Sequence, residues 1–371
     1  MIYLDHNATT PLDSRVIESM QPFLGNFFGN PSSLYRLGRL SRSAMDAARG
    51  QVAALVGTEP SKVIFTSGGT EANNFAIRGM AGKLPVGAIA IGATEHPSVL
   101  APAERLHKLG WDVRTLAVDT DGELTQQSLF DLPLANLRFA SVMLANNETG
   151  VIQDVSALAG LMREYGAYLH CDAVQAAGKI PLDFNAHGAH LFSLSSHKIH
   201  GPKGVGALVI DKSVELTPLL EGGGQERGLR SGTENVAAIV GFGKAAELAL
   251  AELESRKSHC YKLRQILENG LAQIHGVTVF AENAPRLSNT VQFGFSGMDG
   301  EALLMMLDRK GFAVSSGSAC ASGAGEPSPV LLAMGMDADI AKSAIRVSLG
   351  KDNSEADITA FLAALKGILR L

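Results

Sequence analysis

The chain has 371 residues, of which 46% are hydrophobic and 19% are charged, so it can bury a large core and is expected to form two domains. Its formal net charge of −5 offers neither the basic surface of a nucleic-acid-binding protein nor the polybasic patch of a membrane-surface protein. No apolar run approaches the ~18 residues needed to cross a bilayer, so the expected partners are small molecules or other proteins.

Short β-rich runs alternate with helical patterns through the first part of the chain. This alternation predicts an α/β fold with one wound, mostly parallel sheet of seven strands joined by helical crossovers. The predicted strands are residues 63–67, 88–93, 113–118, 139–145, 168–172, 191–195 and 205–210.

The pattern changes after Gly241, where an Ala/Leu/Glu/Lys-rich stretch predicts one long helix reaching about Ile274. Beyond it, residues 277–280, 289–293 and 345–348 are predicted strands among helices, which indicates a smaller α+β domain. The first stretch, to about Asn26, has no β/α alternation and is expected to pack on this second domain. The predicted domains are 15–258 for the large one and 1–14 plus 259–371 for the small one.

Polar side chains follow two predicted strands that we expect to be neighbours. Asp172 and Gln175 come at the end of one strand, and Lys198 follows the other within the run 195–204. Ligands of parallel sheets bind beyond the carboxyl ends of the strands, so these side chains should share one edge. A lysine there can form a Schiff base, and a carboxylate can keep a pyridine nitrogen protonated, as pyridoxal 5′-phosphate (PLP) chemistry requires. A lone lysine after a strand is otherwise a solvated turn residue.

A phosphate group of such a cofactor needs backbone amides at a helix start. Residues 65–74 supply a strand, two glycines and Thr70 at a strand-to-helix junction. Taken alone, this run is also an ordinary helix N-terminus. Ser195 and His197 are close enough to Lys198 in sequence to add two phosphate ligands. His96 follows another predicted strand, where an imidazole can stack on the ring and carry protons.

These segments together resemble the cysteine desulfurases, which are PLP enzymes of the class V aminotransferase, fold-type I group. The resemblance covers nearly the whole chain. It is carried by residues 3–11, 29–33, 67–71, 94–96, 146–150, 172–175, 196–198, 230–235, 315–320 and 345–348. Any one of these segments would be weak, but their order along the chain is specific.

The resemblance assigns the cofactor and substrate contacts residue by residue. It implies that Lys198 bonds to the cofactor, that Asp172 contacts the ring nitrogen and that Gln175 contacts the phenolic oxygen. His96 is expected to stack on the ring. The implied phosphate ligands are Gly69, Thr70, Ser195 and His197, together with Thr233 from the other subunit of a homodimer. The implied ligands of the substrate carboxylate are Asn147 and Arg346, the latter through its planar guanidinium.

Cys320 decides the expected reaction. It lies in the run 315–325, which is rich in Ser, Ala and Gly and is expected to form an exposed, mobile loop with an accessible thiolate. Cys171 and Cys260 are instead expected to be inert packing residues. Three cysteines without a signal peptide at the N-terminus also favour a reducing compartment, and the cytoplasm is the expected location.

The implied reaction converts L-cysteine to L-alanine and leaves a persulfide on Cys320. Catalysis would use Cys320, Lys198 and His96, and the persulfide would pass to an acceptor protein of iron-sulfur cluster assembly, nitrogenase maturation or tRNA thiolation. No resident metal is expected, and Cys320 would contact an iron-sulfur cluster only transiently during transfer. The alternatives are a selenocysteine lyase, another class V PLP aminotransferase, or a non-enzymatic structural subunit. The intact set of reactive residues argues against the last of these.

Overall fold

The computed structural model describes residues 1–316 and 326–369. Its strands are β1 (Ile2–Tyr3), β2 (Val63–Thr66), β3 (Ala88–Gly92), β4 (Asp112–Leu116), β5 (Leu137–Ser141), β6 (Tyr168–Asp172), β7 (Leu191–Ser195), β8 (Gly206–Ile210), β9 (Val277–Val279), β10 (Thr290–Phe295), β11 (Phe312–Ala313) and β12 (Ile345–Ser348). Each predicted strand is present, with ends shifted by a few residues at most.

The helices of the described ranges are α1 (Ser14–Leu24), α2 (Arg36–Leu55), α3 (Gly69–Ala81), α4 (Pro97–Lys108), α5 (Gln126–Phe130), α6 (Ser156–Tyr165), α7 (Val236–Ala251), α8 (Leu253–Leu271), α9 (Gly300–Arg309), α10 (Pro329–Ala333), α11 (Ala338–Lys342) and α12 (Glu355–Leu369). Among them, none has both the length and the apolar character that a membrane span requires.

The main sheet contains seven strands in the order β2-β8-β7-β6-β5-β3-β4. Strand β8 is antiparallel to both of its neighbours, and all the other pairs are parallel. The predicted α/β class and the mostly parallel sheet are therefore confirmed. Central strands such as β3 and β7 are buried along their whole length, as is typical of sheets covered by helices on both faces.

This topology brings several strand ends to one edge. Because only β8 runs in the opposite direction, the carboxyl ends of β2, β3, β6 and β7 lie on the same side of the sheet. The chain leaves β2 into α3 and leaves β3 into α4, so two helix N-termini also face this side. Ligand sites of open α/β sheets form at such an edge.

A second hydrophobic core is built around the three-stranded antiparallel sheet β12-β10-β9. The N-terminal residues contribute to it, because β1 pairs with β11 and Leu4 is buried in this core. The expectation that the chain packs there as far as Asn26 is wrong for α1. Helix α1 packs on α7, and its Val16 side chain is buried in the core of the main sheet.

The single long helix expected after Gly241 is also wrong, because the structure has two helices that break at Glu252. The Glu252 carboxylate binds Arg15 of α1 at 2.6 Å and Arg256 of α8 at 2.7 Å. The Ser255 hydroxyl donates to the Glu252 carbonyl. These contacts stabilise the break, and neither Gly nor Pro marks it in the sequence.

Candidate active site

A cavity of about 330 Å³ opens at the carboxyl edge of the main sheet. Most of the predicted site residues line it, although they come from distant parts of the chain. They are Gly69, Thr70, His96, Asn147, Asp172, Gln175, Ser195, His197, Lys198 and Arg346. The site is therefore a junction between the main sheet and β12 of the second core.

Lys198 lies in a single 3-10 turn, Ser196–Lys198, which directly follows β7. Its Nζ donates to the backbone carbonyl of Asn7 at 2.5 Å and to that of Ala8 at 2.8 Å. The N-terminal segment therefore lies at the carboxyl edge of the main sheet, where its backbone positions the lysine. Backbone carbonyls can accept hydrogen bonds from either the ammonium or the neutral amine.

Asp172 is the last residue of β6 and is buried. Its Oδ1 accepts from the Val174 amide at 2.9 Å, and its Oδ2 accepts from Asn73 Nδ2 at 2.7 Å. These donors hold the carboxylate in a single orientation and leave lone pairs for a protonated ring nitrogen.

His96 precedes α4, and its Nδ1 lies 2.7 Å from the Ser98 hydroxyl. Asn73 Nδ2 donates to the same hydroxyl at 2.8 Å, so one amide links the imidazole to Asp172. Burial lowers the pKa of His96, Asp172 opposes this shift, and Lys198 reinforces it. The neutral imidazole that results can accept a proton during a reaction.

One end of the cavity is suited to a phosphate group. Gly69 and Thr70 begin α3. The first backbone N–H groups of a helix have no partner within it, so they can donate hydrogen bonds to a phosphate group. The Ser195 hydroxyl is buried without a hydrogen-bond partner among the described residues. A Cβ atom at Gly69 would lie 2.9 Å from a Val174 methyl group, so close packing there excludes a side chain.

His197 also lines this end, with Nδ1 3.2 Å from the Thr9 hydroxyl. Burial, together with the nearby Lys198 and Lys203, lowers the pKa of His197 to about 4. It is therefore a neutral hydrogen-bonding group at neutral pH.

The opposite end of the cavity holds Arg346, which is 1% exposed. Its Nη1 donates to the Asn147 carbonyl at 3.0 Å, and its Nη2 forms an ion pair with Asp5 at 2.6 Å. Arg346 Nε has no partner among the described residues. The guanidinium therefore retains N–H groups for a ligand carboxylate while two protein acceptors fix its plane.

One predicted site residue within the described ranges, Thr233, does not line this cavity. Thr233 is exposed on the surface of the chain. Cys320 lies outside the described residues. The other two cysteines are buried and free of disulfides, and burial raises the pKa of Cys260 to about 11 and that of Cys171 well above its usual value.

Sequence reasoning missed the residues that hold the site together. Asn73 positions both Asp172 and Ser98, while Asn7 and Asp5 position Lys198 and Arg346. Asp5 and Asn7 belong to segment 3–11, and Asn73 belongs to the run 65–74. These residues could have been found from the sequence, because each is a polar residue without an assigned role in a segment that was already singled out.

The comparisons with known proteins agree with this geometry. Residues 2–361 match the family model described as aminotransferase class-V. The chain belongs to the class-V aminotransferase family. It is 41% identical to a protein of Dictyoglomus turgidum named cysteine desulfurase IscS, over 99% of this chain and 94% of the relative.

Two solved structures extend the comparison of this class-V aminotransferase. A NifS-like protein is 38% identical and superposes with a TM-score of 0.94, covering 100% of this chain and 99% of the other. A structure described as SspA in complex with cysteine is 31% identical with a TM-score of 0.84, covering 94% of this chain and 99% of the other. The likeness therefore spans the whole fold, including both cores.

Class-V aminotransferases and cysteine desulfurases depend on PLP. The cavity fits this cofactor, because it joins a helix N-terminus and the orphaned Ser195 hydroxyl to a buried carboxylate and a lysine. The phosphate, the ring nitrogen and the aldehyde of PLP each have a matching group on this chain.

Proposed function

We propose that this protein is a PLP-dependent cysteine desulfurase that converts L-cysteine to L-alanine and transfers the sulfur through a persulfide on Cys320. The observation that carries the proposal is that Lys198, Asp172 and Arg346 line one cavity. This combination provides a carbonyl-reactive amine, a partner for a pyridinium and a carboxylate-binding guanidinium, which an amino-acid substrate requires together.

Arg346 and Asn147 would bind and orient the substrate. The planar guanidinium matches the cysteine carboxylate, and the Asp5 and Asn147 contacts keep it pointed at the cavity. Anchoring the carboxylate at one end places the substrate amine and Cα toward Lys198. The same anchoring excludes thiols that lack the amino-acid carboxylate.

Proton transfers would be shared by three groups. Bound PLP supplies an electron sink that makes the Cα proton of the amino acid acidic. Lys198 Nζ removes that proton, Asp172 keeps the ring nitrogen protonated, and His96 Nε2 carries a proton at the sulfur end. The lowered pKa keeps the His96 imidazole neutral at neutral pH, and because its Nδ1 accepts from the Ser98 amide, its proton is on Nε2 and can be donated there.

Cys320 would perform the sulfur step. Its thiolate attacks the substrate sulfur, a new S–S bond forms, and the Cβ–S bond of the substrate breaks with its electrons retained on the carbon side. Protonation of that carbon side yields L-alanine, so one cysteine gives one alanine and one persulfide. Thiols of an acceptor protein then take the terminal sulfur.

We infer that the working unit is a homodimer in which Thr233 reaches the phosphate end of the partner subunit's cavity. Thr233 is exposed on its own subunit. Thr70 and His96, which line the cavity, also line a surface groove beside it. The apolar side chains of Phe28 and Leu34, on either side of segment 29–33, are exposed on the single chain. Exposed apolar side chains of this kind support a surface that a second subunit covers.

The sulfur acceptor would be a protein of iron-sulfur cluster assembly or tRNA thiolation. The proposed location is the cytoplasm, where free thiols persist. We also propose the division into a large domain of residues 15–258 and a small domain of 1–14 plus 259–371, which the separate cores of the two sheets support.

The test is to incubate the purified holoprotein with L-cysteine and a dithiol reductant while alanine and sulfide are measured together. The parent should give equal amounts of both, the Cys320→Ala variant neither, and a Cys260→Ala control the parent rate. Alanine and sulfide from the Cys320→Ala variant would mean that sulfur leaves without this thiol. Silence of the parent with L-cysteine but turnover of selenocysteine, or transamination, would replace the proposed function.

A further inference from the structure

Lys179 is a partly buried lysine that has no role in the reaction described above. It lies four residues after Gln175, in the turns that follow β6. Its Nζ donates to Gln175 Oε1 at 2.6 Å and to Asn7 Oδ1 at 2.8 Å. A partly buried amine with two side-chain acceptors is a positioned group rather than a solvated one.

Contacts with backbone carbonyls establish that the atoms of Gln175 and Asn7 that face Lys179 are the amide oxygens. Gln175 Nε2 donates to the Asn7 carbonyl at 2.9 Å, and Asn7 Nδ2 donates to the Asn147 carbonyl at 3.1 Å. A carbonyl can only accept, so in each amide the nitrogen is the atom that faces it. The oxygen of each amide therefore faces Lys179, and the orientation of both side chains is determined.

The consequence concerns the wall of the cavity. Gln175 Nε2 has two hydrogens, and only the one bonded to Asn7 has a protein acceptor among the described residues. We propose that Lys179 is a positioning residue, which holds the Gln175 carboxamide so that its second N–H is presented to an acceptor oxygen of the bound cofactor. This inference rests on the proposed function, in which Gln175 contacts the phenolic oxygen of PLP.

The hydrogen bonds of Lys179 do not depend on its charge. Burial, followed by the neighbouring Lys198 and Arg346, lowers the pKa of Lys179 well below its usual value. A neutral amine still has two N–H donors, one for each of its two acceptors. The proposed positioning therefore operates in either protonation state.

A double-mutant cycle tests whether Lys179 acts through Gln175. The variants are Lys179→Met, which keeps an unbranched apolar side chain but removes the donors, Gln175→Ala, and the two combined. Each apoprotein is titrated with PLP, and the dissociation constant and the absorption maximum of the bound cofactor are recorded. Lys179→Met should weaken binding about fivefold and shift the maximum in the parent, but change affinity less than about twofold in the Gln175→Ala background.

A matched control is Lys351→Met, since Lys351 lines the small pocket beside Lys179 but pairs with Asp13. This control should leave the PLP constant and the spectrum at parent values. Equal weakening by Lys179→Met in both backgrounds, or no effect in either, would overturn the proposal. If Lys179→Met does not fold, Lys179→Ala, which also lacks the donors, replaces it in the cycle. A parent that binds no PLP would instead refute the proposed function itself.

Discussion

Arg346 Nη2 lies 2.6 Å from Asp5 Oδ1. This ion pair joins the N-terminal segment of the chain to strand β12 of the second sheet. The side chain of Arg346 is 2% exposed and that of Asp5 is 18% exposed. The ion pair is therefore nearly buried. Removing one partner from such a pair leaves an uncompensated charge in a poorly solvated place.

Asp5→Asn should destabilise the apoprotein because it leaves the Arg346 guanidinium buried without its counter-charge. The expected loss is about 3 kcal/mol, the lower end for buried pairs, since Asp5 keeps some contact with solvent. Urea unfolding of the apoprotein measures it. The control is Asp112→Asn, which breaks an exposed pair with Arg114 and should cost less than about 0.5 kcal/mol. Equal losses for the two variants would contradict the role assigned to Asp5.

A hybrid dimer tests the contribution of Thr233 across the subunit interface. Subunits with Lys198→Ala and subunits with Thr233→Asp are each expected to be inactive as homodimers. In the hybrid, the Thr233→Asp subunit keeps its lysine and receives Thr233 from its partner, so about half of the parent activity should return. Differently tagged subunits, co-expressed and purified through both tags, provide the hybrid. A hybrid as inactive as both homodimers would show that Thr233 acts within its own subunit.

Because of His170, we expect the folded protein to lose stability as the pH falls. The imidazole is fully buried between the hydroxyls of Ser141 and Ser193, and burial lowers its pKa to about 3. The unfolded chain takes up a proton below its ordinary pKa of about 6.5, whereas the folded chain does not until about 3, so stability falls as pH falls through this window.

The slope due to one such group approaches about 1.4 kcal/mol per pH unit. Denaturant unfolding of the apoprotein at several pH values should therefore give a steeper acid dependence for the parent than for His170→Gln. Parallel curves for the two proteins would mean that His170 is protonated in the folded state at the same pH as in the unfolded chain.

Glu95 predicts the opposite dependence on pH. It is 4% exposed, its Oε1 accepts from the Met143 amide, and its Oε2 has no partner among the described residues. Burial, and then the charge of Asp172, raise the pKa of Glu95 well above its usual value. The folded chain holds this proton while the unfolded chain releases it, so the parent loses stability as pH rises above about 4.5.

Glu95→Gln has no proton to lose and keeps the shape of the side chain. Its stability relative to the parent should therefore increase as pH rises from about 5 to about 7, which paired thermal or urea unfolding can measure. A difference that stays constant over this range would mean that the parent carboxyl is already ionised in the folded protein.

Much of the site could be predicted from the sequence because it follows strand ends. Asp172 ends β6, Lys198 follows β7, and His96 follows β3, so one rule about the carboxyl edge of parallel strands places all three in one cavity. The strands themselves were predictable from apolar runs and the punctuation between them.

The supporting contacts could not be predicted in this way, because they join segments far apart in the chain. Asn7 bonds to Asn289 and Thr290 as well as to Lys179, and none of these partners follows from a local pattern. The break at Glu252 was missed for a similar reason, since it depends on Arg15 from α1. Tertiary contacts decide such features after the local sequence has left several conformations open.

Borohydride reduction of the holoprotein, followed by proteolysis and mass spectrometry, shows whether the cavity binds PLP through Lys198. Reduction makes the bond between the cofactor carbon and the lysine nitrogen permanent. We expect the cofactor mass on the peptide that contains Lys198, and no cofactor on that peptide in a Lys198→Ala variant. Attachment at the nearby Lys179, or at no lysine, would show that Lys198 is not the residue that bonds to the cofactor.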